Sequence, residues 1–196
     1  MSSNRRFPDT VTGPFDGPPV RFTDRAEREI EIRAYDGSDR EYERLASMYD
    51  EFDPADRAQG IPPSDERRIR EWLDNILNGD CLNVIAWDGD TAAGHATLVP
   101  DGDASELAIF VLQAYQEAGI GTHLIQALLG YGAESGVEKV WLTVERWNQP
   151  AVGLYKKIGF EISDSESFEM EMTIRIGGDD DGDGGDDGGD DGGDGD

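Results

Sequence analysis

With 196 residues, 17 Lys and Arg and 43 Asp and Glu, the chain has room for one ordinary domain plus extensions and carries a formal charge of −26. That balance excludes a general nucleic-acid binder, which needs a basic face to neutralise phosphates. The single cysteine, Cys81, excludes an intrachain disulfide and a cysteine-based zinc cluster and suits a reducing cytoplasm.

The acidity is uneven. From Gly177 to Asp196 the chain is ten Gly and ten Asp. Such a stretch has no apolar surface to offset its ordering entropy, so 177–196 is expected to be a disordered, solubilising tail, and it lacks the spacing of a calcium loop. The cations are three lysines (Lys139, Lys156, Lys157) and 14 arginines. Surplus carboxylates with scarce lysine suggest a halophilic protein of a high-salt cytosol, where self-repulsion is screened over a few Å. Met1–Thr10 has no apolar stretch, and the longest apolar run, Leu107–Leu112, is six residues, so neither a signal peptide nor a membrane span is expected.

In chain order, Pro8, Pro14, Pro18 and Pro19 with Gly13 and Gly17 discourage regular structure, and residues 1–26 read as a disordered or loosely attached arm. Ile30 and Ile32 alternate with charged residues up to Tyr35, which predicts a strand and opens a folded domain over 27–176. Tyr42, Leu45, Ala46 and Tyr49 fall at i, i+3, i+4 and i+7 behind a cap at Ser38 or Asp39, an amphipathic helix. A Pro-rich loop over 53–63 precedes a second helix, with Ser64 as its cap, Asp65 and Glu66 at its positive end and Ile69, Trp72, Leu73, Ile76 and Leu77 in one stripe. Leu82–Trp87 and Thr91–Val99 flank Asp88-Gly89-Asp90, a hairpin signal, and Ser105–Leu112 is a third strand. Ile120–Glu134 keeps helical spacing through Ile120, Leu124, Leu128 and Tyr131 although Gly130 and Gly132 weaken it, and Gly136 is its stop. Lys139–Val144 predicts a strand, Asn148–Ile158 a helix, and Phe160–Ser163 and Glu169–Ile176 the last strands. This order is that of an α/β sandwich.

The segment from Val111 to Thr122 joins a strand to a helix through Gly119 and Gly121. Glycines there let backbone N–H groups approach an anion, and the helix adds its positive end, so a pyrophosphate could sit on the turn. A dinucleotide fold would place a third glycine where this chain has Leu124, and a P-loop would need Gly-Lys-Ser/Thr, so both are excluded. A plain tight turn is the alternative.

Two motifs carry the reading further. Gln116, Gly119 and Gly121 form a Q-x-x-G-x-G turn, and one strand later Asn148, Ala151, Leu154, Tyr155, Gly159 and Phe160 form N-x-x-A-x-x-L-Y-x-x-x-G-F. Together with Ser105–Val111, they resemble the GNAT superfamily of acyl-CoA-dependent N-acyltransferases over about Glu29 to Ile176, with a composition like that of haloarchaeal members. The resemblance implies a GNAT-like three-layer sandwich, a central mixed, mostly antiparallel sheet flanked by helices. It implies that Ile109, Phe110 and Val111 offer backbone groups to the pantetheine of acetyl-CoA, that Gln116, Glu117, Ala118, Gly119, Ile120, Gly121 and Thr122 cradle its pyrophosphate, and that Asn148 and Tyr155 hold the pantetheine and the thioester sulfur. Many relatives carry Arg or Lys in the turn where this chain has Glu117 and Ala118, so affinity would rest on backbone donors and the helix end.

Acetyl transfer to an amine imposes its own demands. An amine of pKa about 10 is protonated at neutral pH and must lose a proton before it attacks. Glu106 is the candidate base, since the histone-acetyltransferase branch has a catalytic Glu in a similar strand position. Another branch has its Glu where this chain has Thr143, and Glu145, on the same strand face as Thr143, is the backup. A backbone N–H near Val111 is the donor for the carbonyl oxygen, and Tyr155 the proton donor to the leaving thiolate. The plain alternatives are an exposed strand carboxylate for Glu106 and a core tyrosine at helical spacing with Ala151 and Ile158 for Tyr155.

The partners expected are acetyl-CoA and an amine acceptor, small molecule or protein, bound by Asp36–Leu77 and the last strands, with no metal, nucleic acid or membrane. A homodimer through the final strands is compatible with the pattern. A non-catalytic acyl-CoA sensor or interaction module on the same fold is the rival. His95 and His123 lack a metal-like spacing and read as structural, and Trp72, Trp87, Trp141 and Trp147 as core or rim.

Overall fold

The computed structural model describes residues 5–53, 62–164 and 168–177. Its elements are β1 (Val20–Thr23), β2 (Glu29–Ala34), α1 (Asp39–Asp50), α2 (Glu66–Ile76), β3 (Leu82–Asp88), β4 (Thr91–Asp101), β5 (Ala104–Val111), α3 (Ile120–Glu134), β6 (Lys139–Glu145), α4 (Gln149–Ile158), β7 (Glu161–Asp164) and β8 (Glu169–Arg175), with a 3-10 turn at Gln113–Tyr115. The strands make one sheet in the order β1-β2-β3-β4-β5-β6-β8-β7. Every neighbouring pair is antiparallel except β5 and β6. Helices α3 and α4 cover one face and α1 and α2 the other, so the three-layer α/β sandwich with a mixed, mostly antiparallel sheet is the observed architecture.

Each layer follows from its apolar stripe. In α3, Leu124, Ile125, Leu128 and Leu129 are buried against Val84, Ala96, Leu98 and Val140 of the sheet. In α1 and α2, Leu45, Tyr49, Ile69 and Leu73 close over Ile85 and Trp87 on the other side. Ser38 caps α1 by accepting from the Glu41 N–H. The cap of α2 is Asp65 and not Ser64, its carboxylate accepting from the Arg68 N–H at 3.0 Å. The carboxylate brings a negative charge to the positive helix end as well as the hydrogen bond, which the serine hydroxyl does not.

The N-terminal arm departs from expectation: its described part is held along its length. Val20–Thr23 pairs with β2, Val20 opposite Ile32. Upstream, the Thr12 N–H donates to the Arg175 carbonyl at 2.7 Å, and Phe15 packs on the α3 core. The backbone at Asp16 and Gly17 crosses α3 at Gly130, where a Cβ would lie 2.5 Å from Asp16 C and Gly17 N. Glycine there costs the helix about 1 kcal/mol against alanine, and the close crossing is what its missing side chain permits. Prolines and glycines in 5–19 let the chain wrap the domain in extended form instead of keeping it loose. The acidic tail beyond Gly177 and residues 54–61 of the expected Pro-rich loop lie outside the described residues.

Candidate functional site

The sheet parts at its one parallel junction. β5 and β6 pair only at Ser105 with Val140 and Glu106 with Trp141. Each keeps its outer partner well beyond that point, β5 on β4 as far as Val111 with Gly94, and β6 on β8 as far as Glu145 with Glu169. The two inner edges therefore diverge from Leu107 and Leu142 onward and leave a cleft. The Leu112 N–H donates to the Ala93 carbonyl on the β4 side at 3.0 Å. Alternation by two then turns the N–H and C=O of Ile109 and Val111 into the cleft. The Val111 carbonyl accepts from Gln116 Nε2 there, at 3.1 Å. Phe110 differs from the expectation: its carbonyl faces Gly94 on β4, and its ring packs edge-on to Tyr49 and Trp72 at 5.5 and 5.4 Å.

The glycine turn stands at the head of this cleft. Gly119 has φ +92°, left-handed backbone that favours glycine, and ends the turn one residue before α3. The first N–H groups of α3, on Ile120, Gly121 and Thr122, have no hydrogen-bond acceptor among the described residues, as a helix start leaves them. A Cβ on Gly121 would meet Leu154 at 3.6 Å and Ile109 at 3.8 Å, ordinary contacts, so neither packing nor backbone demands glycine there. What its bare Cα keeps clear is the space between β5 and α4. The side chains of Ala118 and Ile120 are buried, so these residues can serve a ligand only through their backbone. Free N–H groups, an open Cα and a positive helix end suit a pyrophosphate.

The side-chain candidates divide between the two faces. Tyr155 of α4 lies in the α3/α4 core, its ring 5.8 Å from that of Phe160, and burial pushes its phenol up to about 12. Its hydroxyl makes no hydrogen bond to the described residues. Asn148 caps α4, its Oδ1 accepting from the Ala151 N–H at 3.3 Å, a bond that does not use its side-chain N–H donors. Glu106 lies on the opposite face, beside Trp141, where β5 and β6 still pair. It is three residues before Ile109, roughly 10 Å along the strand. Burial raises the Glu106 carboxyl, Arg5 lowers it and Asp101 raises it. Arg5 sits 3.4 Å above the Trp141 ring and bonds Asp101 at 2.7 Å and Glu171 at 2.9 Å. Glu145 stands at the open end of β6, opposite Glu169.

The histidines are structural. His95 is fully buried and joins Tyr49 Oη (2.6 Å) to Asn83 Oδ1 (2.9 Å). The Asn83 amide donates to the Ile76 carbonyl at 2.8 Å, so Oδ1 must accept from Nε2–H and Nδ1 from the tyrosine hydroxyl. His123 stacks on Phe22 with centroids 3.7 Å apart. Trp147 is exposed, whereas Trp87 and Trp141 are buried. Among the described residues no group of three His, Cys, Asp or Glu side chains could hold a metal, and no helix is long and apolar enough to cross a membrane. Arg5, Arg25 and Arg28 reach the site from the arm and the β1–β2 turn, contacts that nothing in the motifs signals.

Residues 45–160 match the acetyltransferase (GNAT) family. Among characterised sequences, an N-alpha-acetyltransferase of Sulfurisphaera tokodaii is 37% identical over 90 residues, which is 45% of this chain and 53% of that protein. The match thus spans about half the length of that relative. Among solved structures, the GNAT domain of S. lividans PAT superposes with a TM-score of 0.69 at 16% identity, covering 80% of this chain and 96% of that one. The PaiA N-acetyltransferase of Thermoplasma acidophilum, in complex with coenzyme A, superposes with a TM-score of 0.60 at 20% identity, covering 74% and 98%. With the family match extending from α1 to the end of the second motif, the chain belongs to the GNAT acetyltransferase family.

Proposed function

We propose that the protein transfers an acetyl group from acetyl-CoA directly to a primary amine. The observation that carries this is the cleft between β5 and β6, edged by the backbone of Ile109 and Val111 and headed by the Gln116–Thr122 turn at the start of α3. A thioester bound along that edge supplies an activated acetyl carbonyl. The chain's own groups must then take a proton from the amine, donate to the carbonyl oxygen and meet the departing sulfur.

A cleft-facing N–H of Ile109 or Val111 is the donor for the carbonyl oxygen. Glu106 is the base, and from its place below the cleft it receives the proton through water. Tyr155, with its phenol at about 12, stays protonated at neutral pH and keeps a donor free for the sulfur. Giving up that proton outright to a thiolate of pKa about 8.5 would be uphill by more than three units, roughly 4–5 kcal/mol, so its contribution is a hydrogen bond. Direct transfer needs no covalent enzyme intermediate, and Cys81, between α2 and β3, is far in sequence from both motifs.

Calorimetric titration with acetyl-CoA, and separately with NADH, in molar KCl tests the donor, and mass detection of acetylated products from an amine panel tests the transfer. Micromolar acetyl-CoA binding without NADH binding, followed by one acetylated amine, is the expected result. Failure of folded protein to bind acetyl-CoA overturns the reading, and binding without turnover on any amine turns it into an acyl-CoA sensor.

A further inference from the structure

The turn that would hold the pyrophosphate has an electrostatic and conformational difficulty of its own. Its one charged side chain, Glu117, is an anion, and Glu117 has left-handed backbone at φ +60°, unusual for a residue with a side chain. Both problems are met from outside the turn, by the residues between β1 and β2.

That hairpin is built around a buried carboxylate. Asp24 accepts from the N–H groups of Ala26 and Arg28 at 2.8 and 2.9 Å and from Arg28 Nε at 2.7 Å, and its own N–H donates to the Arg28 carbonyl at 2.9 Å. So fixed, the hairpin presents two arginines. The Arg25 N–H donates to the Ala118 carbonyl at 3.1 Å, and Arg25 Nη1 to the Glu117 carbonyl at 3.2 Å. Arg28 Nη1 donates to the Ala114 carbonyl at 3.0 Å, with its guanidinium 4.2 Å from the Tyr115 ring. Phe22 of β1 stacks on His123, whose Nδ1 lies 3.0 Å from the Gly119 carbonyl.

We infer that the β1–β2 hairpin is a clamp that aims the turn's amides at the phosphates of the donor, with Arg25 as the positioning residue. In a planar trans peptide the C=O of one residue and the N–H of the next point in opposite directions. Drawing the carbonyls of Glu117 and Ala118 toward the hairpin therefore turns the N–H groups of Ala118 and Gly119 away from it, alongside the free N–H groups at the start of α3. The guanidinium also brings to the turn the positive charge that Glu117 and Ala118 do not supply. This rests on the acetyl-CoA reading above and deepens it: the donor must carry a pyrophosphate, and its recognition depends on a strand outside both motifs.

The test compares wild type, Arg25→Ala and Arg25→Lys for acetyl-CoA binding by calorimetry and by backbone amide NMR, in the same molar KCl. Arg25 is exposed, so the alanine variant folds. Its Kd is expected to rise about tenfold, as losing one charged hydrogen bond does, and the lysine variant to recover most of it. The amide resonance of Ala118 is expected to shift on acetyl-CoA addition in wild type and to lose that shift in Arg25→Ala, while that of Gly119, whose peptide carbonyl the Arg25 backbone N–H still holds, and those of Ile109 and Val111 still move. Equal Kd values in wild type and Arg25→Ala, or parallel loss of all four amide responses, overturn the clamp and leave the transferase reading in place. Absence of binding by the wild type overturns both.

Discussion

The two faces of the sheet are packed by different means. Under α3 and α4 the core is almost wholly aliphatic, with Leu124, Ile125, Leu128, Leu129, Leu142 and Ile174 at 0–1% exposure and, among the described residues, only Tyr155 and Phe160 adding buried rings. Under α1 and α2 it is aromatic, with Tyr49, Phe52, Trp72 and Phe110 meeting tilted or edge-on at 4.9–6.1 Å around the buried Tyr49–His95–Asn83 chain. Non-directional packing suffices on the first face, because the candidate donor site there is made of backbone and needs only a rigid support. The second face is held by directional contacts as well, and on it lie the carboxylates of Glu106, Glu145 and Glu171. The cleft runs between them, with Ile109 and Val111 packed on the aliphatic core and Phe110 on the aromatic one.

That contrast breaks or holds under substitution. Leu124→Ala, at a fully buried site on the aliphatic face, is expected to cost about 2–5 kcal/mol, measured by urea unfolding in molar KCl. Tyr49→Phe removes no volume from its ring but takes the donor from His95 Nδ1, and about 1–3 kcal/mol is expected from the buried acceptor left behind. A Tyr49→Phe variant as stable as wild type would show that the aromatic face, too, is held by packing alone.

The same chain makes the aromatic face sensitive to acid. Burial holds the His95 imidazole down at about 3, against 6.5 when exposed. Below pH 6.5 the unfolded chain takes up a proton there and the folded one does not, so stability from this group is complete above 6.5 and is lost as pH falls toward 3. The slope approaches about 1.4 kcal/mol per pH unit. His95→Gln is expected to flatten the stability–pH curve in that window, and an unchanged slope would assign the acid sensitivity to the carboxylates instead.

Much of the first face was legible in the sequence because its signals are local. The helix over Ile120–Glu134 has the limits its spacing predicts, and the Asp88-Gly89-Asp90 hairpin joins β3 to β4 as expected. The glycine turn was readable for the same reason: a strand, two glycines and a helix adjoin in sequence, and backbone donors need no particular side chains. What the sequence hid is long-range. Gly130 reads as a weak point of α3 until Asp16 is seen to cross it, and Val20–Thr23 is too short to declare itself as a strand after two prolines. The placement of Phe110 follows from strand parity relative to β4, which no local pattern reports. Arg25 reaches Glu117 across 92 positions of sequence, so a cradle that carries an anion and no cation of its own could not be seen to have a cation beside it.

The smallest effect tests the boundary between the two faces. Arg5 lies over Trp141 with its side chain 15% exposed, between Asp101 and Glu171, and Arg5→Ala is expected to cost about 1 kcal/mol in stability. Its sharper consequence concerns Glu106. Burial raises that carboxyl and the Arg5 cation lowers it, so removing the cation lets it rise further. A base works only when unprotonated, and a higher carboxyl pKa therefore moves the acidic limb of kcat/KM to higher pH, measured with whichever amine the panel identifies. Glu106→Gln should abolish that limb. If Arg5→Ala leaves the limb where it was, Glu106 does not take the proton, and the role passes to Glu145, which stands on the open end of β6, beyond the paired stretch where Arg5 lies.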